Sequence, residues 1–198
     1  MIKKKKVFEV ELRASLNSEQ HILLLKKMKM EGASLLRSID IFDEYWCPLA
    51  TKSFADIEMN KIGSYSLRLR KLNYGGKECI CLNTKVIASE NDHNAWEEHE
   101  ISVDSFNEGR EILRAIGLKP FFVLEKIRTD YKVYDAIFSL EDIRDFGKAV
   151  EAEIIATSDK VPSAKKRLRG LFEKFGISES QIFPKSITNI LMHKRASF

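Results

Sequence analysis

Strict alternation of charged and apolar side chains is the feature that most restricts what this chain can fold into. In "VFEVELRAS", Val7 to Ser15, the charged residues Glu9, Glu11 and Arg13 alternate with Phe8, Val10 and Leu12. Successive side chains on a strand point to opposite faces, and β-branched and aromatic residues favour that pleated backbone. One face of this strand is therefore charged and the other apolar. The same parity sets Arg68 and Arg70 against Leu67 and Leu69, Lys85 against Ile80 and Leu82, and Glu98 and Glu100 against Ile101 and Val103. Further on, Lys126 and Arg128 oppose Ile127, while Glu151 and Glu153 oppose Val150, Ala152 and Ile154. Any one of these strands could be the wet side of an ordinary antiparallel sheet. Together they put six acids and six bases, the twelve just named, on faces whose reverse sides are apolar.

Helix signals fall between the strands. Ser18 to Met30 has Asn17 or Ser18 as its N-cap and Gly32 as its stop; a second helix follows Asp104 and Ser105 and ends at Gly117. A third starts at Ser163, aligns Leu168, Leu171, Phe172 and Phe175 at helical spacing, and stops at Gly176, and a short one is expected around Ser186 to Lys194. Besides the first strand, "SYSLRLR", "ECICLNTKV", "WEEHEISV", "FFVLEKIRTDYKVY", "AIFSLEDI" and "AVEAEII" read as strands, with Gly75-Gly76 marking a hairpin bend. A weak internal echo supports antiparallel strands with packed crossover helices: Glu9-x-Glu11, Glu98-x-Glu100 and Glu151-x-Glu153 each precede a capped helix that ends in glycine. No Pro- or Ser-rich linker divides the chain, so residues 1–198 are expected to form one domain. Helices can cover the apolar faces from outside only if the charged faces point inward together. The expectation is an α+β fold: a closed antiparallel β-barrel of about eight strands with helices packed outside.

A charged lumen needs a ligand of high charge density to justify its desolvation. Paired carboxylates offer hard oxygen ligands suited to Mg²⁺ or Mn²⁺, and Arg and Lys clusters suit phosphate oxygens. Acids for a metal and bases for a polyphosphate on one surface point to phosphoryl or nucleotidyl chemistry.

These residues resemble the CYTH superfamily, the triphosphate tunnel metalloenzymes, which include class IV adenylyl cyclases and thiamine triphosphatases. "EVELR" matches the family's ExExK signature, with Arg13 at the lysine position. The likeness continues in order through "IDIFDEYW", "SLRLR", "LNTK", "EEHEI", "VLEKIRTDY", "SLEDIRDFGKAVEAEI" and, more loosely, "KSITNIL". The resemblance implies a tunnel of eight antiparallel strands. It implies Glu9, Glu11 and Glu153 as metal ligands, with Glu98, Glu100, Glu151 and Glu141 as further candidates. Glu141 stands where the family usually has Asp. Arg68, Arg70, Lys85, Lys126 and Arg128 are implied as triphosphate contacts. Two positions depart from the pattern. Arg13 replaces a lysine that the triphosphatases use to help activate water, and arginine stays protonated, so it cannot serve as a base. Ile187 replaces the tyrosine of the terminal element.

The leading expectation is a class IV adenylyl cyclase-like enzyme that converts ATP to cyclic AMP and pyrophosphate with Mg²⁺ or Mn²⁺, in which Glu9, Glu11 and Arg13 form the catalytic set. The alternatives are a triphosphatase acting on inorganic or thiamine triphosphate, and a noncatalytic binder of nucleotides or polyphosphate. The net charge of +4 is too mild to argue for nucleic acid, and the Lys3 to Lys6 run reads as a solvated tail. The apolar runs are too short to cross a bilayer, and the basic N-terminus lacks the apolar segment of a secretory signal. Cys47, Cys79 and Cys81 form no CxxC pair and fit a reduced, cytoplasmic setting; Cys79 and Cys81 are candidates for lining the tunnel, with quiet packing the favoured reading. The four histidines show no metal-ligand spacing. Tyr45 and Trp46 are candidates for touching a base, closing the tunnel or packing; "ASENDHNAWEE" is read as a connecting loop or lid; a homodimer is compatible with all of this.

Overall fold

The computed structural model describes residues 7–57, 62–87, 95–183 and 186–195. The Lys3 to Lys6 run, His93 and most of the expected 88–98 loop lie outside the described residues. The strands are β1 (Val7–Leu16), β2 (Ser34–Pro48), β3 (Tyr65–Tyr74), β4 (Lys77–Ile87), β5 (Ala95–Ser102), β6 (Leu118–Val133), β7 (Ala136–Ile143), β8 (Gly147–Thr157) and the two-residue β9 (Ile182–Phe183). The helices are α1 (Ser18–Met30), α2 (Phe106–Ala115), α3 (Val161–Phe175) and α4 (Ile187–Arg195).

Local chemistry sets the helix ends. Asn17 accepts from the Gln20 amide while the Gln20 side chain accepts from the Asn17 amide, a reciprocal capping box that starts α1. Ser105 caps α2 through Glu108 N. Gly176 ends α3 at φ 83, a left-handed conformation that favours glycine. The expected start of α3 at Ser163 is two residues late, because Pro162 is tolerated in the first turn, where no amide donor is needed.

The sheet is antiparallel throughout and runs β5-β4-β3-β2-β6-β7-β8-β1-β9. β5 also returns to β1, with Glu9 opposite Trp96 and Val10 opposite Ala95, so the eight-stranded run curls round to meet itself at a short seam. β9 takes the next stretch of the same β1 edge, opposite Arg13 and Ala14. The result is an α+β, tunnel-like fold whose seam is hydrogen-bonded over two residue pairs.

Alternation alone does not pick out β2. Its one face carries Ile39, Ile41, Asp43 and Tyr45 and its other Asp40, Phe42, Glu44 and Trp46, so charge and apolarity mix on each. Tertiary pairing with β3 and β6 makes it a central strand all the same.

Apolar reverse faces pack outward under the helices. Val10, Leu12 and Ala14 of β1, Phe138 and Leu140 of β7, and Val150 and Ala152 of β8 join Leu24 and Met28 of α1 and Leu168, Leu171, Phe172 and Phe175 of α3. Across the barrel, Leu69 and Trp46 pack with Phe106 and Leu113 of α2. A Cβ on Gly109 would lie 3.0 Å from Leu69 Cδ1, so glycine permits α2 to sit that close to β3. α4 is placed differently. Ile187 and Leu191 pack with Tyr45, Phe122, Leu124, Ile143 and Ala149, which lie on the inner face of the sheet, so this helix crosses one mouth of the tunnel.

Candidate functional site

Directly opposed residues of neighbouring strands share a face, so register traces the lumen from strand to strand. Glu11 faces Glu153, and Arg13 faces Glu151 across β1 and β8. Glu151 faces Ser139, and Asp130 faces Ser139, which carries the face through β7 to Arg128 and Glu141 on β6 and β7. Arg68 and Arg70 stand opposite Tyr45 and Asp43 on one side and Asn83 and Cys81 on the other. Lys85 faces Glu98, and Asn83 faces Glu100. All thirteen of the named acids and bases, Glu9, Glu11, Arg13, Arg68, Arg70, Lys85, Glu98, Glu100, Lys126, Arg128, Glu141, Glu151 and Glu153, fall on this one inner face. Glu100 lies at its rim, exposed to solvent.

The inner face is a network of ion pairs. Lys85 Nζ donates to Glu9 at 2.8 Å and lies 3.4 Å from Glu98 and 3.7 Å from Glu11. Arg13 donates to Glu11 and, through Nε, to Glu151 at 2.7 Å. Arg128 Nη1 reaches Glu151 at 3.5 Å, and its Nη2 lies 3.9 Å from Glu153. Lys126 donates to Glu141. Arg68 donates to Glu98 at 3.3 Å, and the Asn83 amide bridges Glu98 and Glu100.

Three participants escape the alternation reading. Asp43 of β2 takes a two-point contact from Arg70, at 2.6 and 2.7 Å. Asp130 of β6 accepts from Arg128 at 2.6 Å, Arg37 at 2.7 Å and Ser139 at 2.7 Å. Asn83 of β4 is the third. Asp130 follows Lys126 and Arg128 at the strand period, so its parity was a usable signal; Asp43 had none, because β2 does not alternate. With Asp43, Asp130 and Glu141 included, acids outnumber bases on the inner face.

That excess appears in the protonation equilibria. Burial pushes the Glu9 carboxyl up to about 8, against the pull of Lys85 and with the adjacent Glu98 adding to the rise. Burial and neighbouring Glu151 raise Glu153 to about 6. Burial would also raise Glu151, but Arg13 and Arg128 outweigh it and hold this carboxyl well below the usual range. Arg13 is disfavoured by burial, yet Glu11 and Glu151 keep it firmly protonated. Cys81 does line the tunnel, and burial beside Glu100 pushes its thiol up to about 12, which leaves it inert.

A divalent cation fits this donor set in kind. Glu9, Glu11 and Glu153 share a face, and Glu11 and Glu153 are direct neighbours. The buried Glu141 Oε2 accepts no hydrogen bond. Among the described residues, however, no three acidic, histidine or cysteine side chains already converge on one point. Lys85 and Arg13 presently neutralise the carboxylates that would hold the ion.

A cavity of about 460 Å³ opens from this network toward α4. Arg13, Arg68, Arg70, Lys85, Lys126 and Arg128 line its charged end. Its other walls mix apolar side chains, Phe54, Ile57, Ile62, Phe121 and Met192, with the polar Asp56, Ser64, Ser66, Thr188 and Asn189. Tyr45 and Trp46 separate in role. Tyr45 points inward and accepts a hydrogen bond from Thr188 of α4 at 3.1 Å, whereas the Trp46 ring is packed into the α2 core. Ile187 fills an apolar socket against Tyr45. No helix of the described residues is long and apolar enough to cross a membrane.

The CYTH domain family matches residues 8–187. No curated protein matches the chain. Among solved structures, the PH1819 protein from Pyrococcus horikoshii is similar at TM-score 0.80 and 22% identity, over 94% of this chain and 99% of that one. A Vibrio parahaemolyticus protein described as a candidate adenylate cyclase is similar at TM-score 0.75 and 19% identity, over 93% and 97% of the two chains. A Hippeastrum candidate adenylyl cyclase with a dominant triphosphatase activity is similar at TM-score 0.63 and 17% identity, over 96% of each. At these identities the likeness is one of fold.

Proposed function

Because this chain belongs to the CYTH domain family, we propose that it is a metal-dependent enzyme acting on a triphosphate-bearing substrate, with conversion of ATP to cyclic AMP and pyrophosphate as its reaction. The observation that carries the reading is the two-part cavity: an end where six cations outnumber Glu141 and Glu151, joined to an end of mixed apolar and polar side chains, in a volume of about 460 Å³. A polyphosphate alone would use the first part. An organic triphosphate uses the whole, and the volume falls within the roughly 300–1,000 Å³ common for small-molecule sites.

In this reading Arg68, Arg70, Lys85, Lys126 and Arg128 bind the triphosphate oxygens, the arginines through planar forks that match phosphate geometry. Phe121, Phe54 and Met192 shelter the organic group from water. Glu9, Glu11 and Glu153 would hold Mg²⁺ or Mn²⁺, with Glu98, Glu100, Glu141 and Glu151 as neighbouring carboxylates. A divalent cation bound there supplies positive charge to the phosphate oxygens and lowers the pKa of the attacking hydroxyl. Lys85 and Arg13 shift from carboxylates to phosphate oxygens as substrate enters. Arg13, kept protonated by Glu11 and Glu151, contributes charge and takes no proton. Lack of a base at this position handicaps hydrolysis more than attack by the substrate's own 3′-hydroxyl on the α-phosphorus, which expels pyrophosphate.

A second reading, triphosphatase action, is favoured by the Hippeastrum fold relative, which joins a cyclase description to a dominant triphosphatase activity. One experiment separates the two. The protein is incubated with Mn²⁺ and a panel of ATP, thiamine triphosphate and inorganic triphosphate, and the products are resolved. Cyclic AMP with pyrophosphate supports the proposal, orthophosphate supports the second reading, and tight binding without turnover marks a noncatalytic binder.

A further inference from the structure

The luminal arginines are not loose side chains. Arg70 donates Nε to Asp43 Oδ1 at 2.6 Å and Nη2 to Oδ2 at 2.7 Å, a two-point contact that fixes the plane of the guanidinium. Asp43 is wholly buried and directly opposite Arg70 in the β2–β3 register. Its Oδ2 also lies 3.7 Å from Arg68 Nη1. One carboxylate therefore stands behind two of the cations that line the cavity, while it is absent from the cavity wall itself. Burial alone would raise its pKa, but Arg70 and then Arg68 outweigh it and hold it at about 2, so it is ionised wherever the protein is near neutral pH.

A guanidinium has five N–H donors in a rigid fork. Asp43 occupies the Nε–Nη2 side of Arg70. Neither of these bonds uses Nη1, and Arg70 lines the cavity. An arginine that must be ordered on binding loses side-chain entropy at that moment, whereas one already held does not. Against this stands a plain Coulomb effect, since a buried negative charge behind the arginines weakens their pull on phosphate. The two effects have opposite signs, which makes the role of Asp43 decidable.

We propose that Asp43 is a positioning residue that presets Arg70, and with it Arg68, for the oxygens of a triphosphate. This rests on the reading of the tunnel as a triphosphate site. Arg128 supplies an internal control, because its backing carboxylate is Asp130 and not Asp43.

The test is calorimetric titration of the full chain with inorganic tripolyphosphate and Mg²⁺, with thermal unfolding followed in parallel. Asp43→Asn is expected to weaken binding about tenfold, the scale of losing a supporting partner behind a ligand-binding group. Asp43→Glu keeps the charge but shifts it by one methylene, and is expected to weaken binding severalfold; it also serves if the Asn variant does not fold. In the Asp43→Asn background, Arg70→Lys should add less than about twofold, while Arg128→Lys should add its full effect, as expected for a coupled and an uncoupled pair. Equal or tighter binding by the Asp43 variants, or equal additivity with both arginines, overturns the inference while leaving the triphosphate reading intact. No binding by the unaltered protein overturns both.

Discussion

The two walls of the tunnel carry the same residue types and hold them in opposite states. On the β1–β8 wall, carboxylates neighbour one another: Glu11 faces Glu153, and Glu9 lies beside Glu98. Burial and like charge raise Glu9 to about 8 and Glu153 to about 6. On the β2–β3 wall a carboxylate stands among arginines, and Asp43 is held at about 2. A carboxylate's neighbours, more than its burial, thus decide its state: Glu151, on the first wall but between Arg13 and Arg128, is held low as Asp43 is. The first wall is suited to receive a cation. The second is suited to present fixed cations to an anion.

The strongest way to break the comparison is to remove the cation that quiets the acidic wall. Arg13→Ala leaves Glu11 and Glu151 buried without their shared partner, and unfolding in denaturant should show a loss of about 3–5 kcal/mol, as for other broken buried pairs. Arg13→Lys keeps the charge and loses the planar fork, so the loss should be clearly smaller. Matching stability of the unaltered protein and the Ala variant would mean that the acidic wall does not need this cation.

Next in size is the response of turnover to a lost carboxylate. Glu11→Gln should lower metal-dependent turnover by more than about tenfold in the product assay, since a hard ligand and its charge are removed together. Chelator should abolish activity in the unaltered protein. Retained activity in either case would reduce the acidic wall to an internal salt-bridge network.

The pH dependence should differ between the walls. A carboxyl whose folded pKa is raised holds its proton in the native state after the unfolded chain has released it. Stability from Glu9 is therefore greatest below its ordinary value of 4.5 and declines as pH rises toward about 8. Asp43 behaves in the opposite sense: its contribution is present above its ordinary 3.8 and is lost only as pH falls toward about 2. In chelator, the Tm should fall between pH 5 and pH 8, and Glu9→Gln should flatten that fall. An unaltered slope in the variant would assign the pH dependence to other groups.

The smallest effect is expected at the rim. Glu100 shares the inner face but is exposed, with Asn83 at 3.3 Å and the Cys81 thiol as neighbours, so Glu100→Gln should change stability by less than about 0.5 kcal/mol. A larger change, measured by the same unfolding assay, would extend the acidic wall outward to include it.

What the sequence by itself determined is local or periodic. Capping of α1 by Asn17 depends on residues three apart, and the faces of β1, β3 and β8 follow from a period of two. Such signals are complete within a few neighbouring positions, so Glu9, Glu11, Arg13, Arg68 and Arg70 could be placed together on one face before any fold was in hand. The outside position of α1, α2 and α3 followed as well, because Leu69 and Val10 needed cover, whereas α4 at the tunnel mouth did not. Only the tertiary structure decided which strand closes on which, and how Asp43 is used. β2 mixes charge and apolarity on each face, and the partner of Asp43 lies 27 residues away on another strand. Tyr45 and Trp46 show the same limit: adjacent aromatics take opposite faces, and only pairing with β3 and packing of α2 settle that Tyr45 bonds to α4 across the lumen while Trp46, at the cavity's edge, packs into the outer core. Charge on a strand is legible as a pattern, but the choice of ion-pair partner is a through-space matter, set by register between strands that the local sequence does not encode.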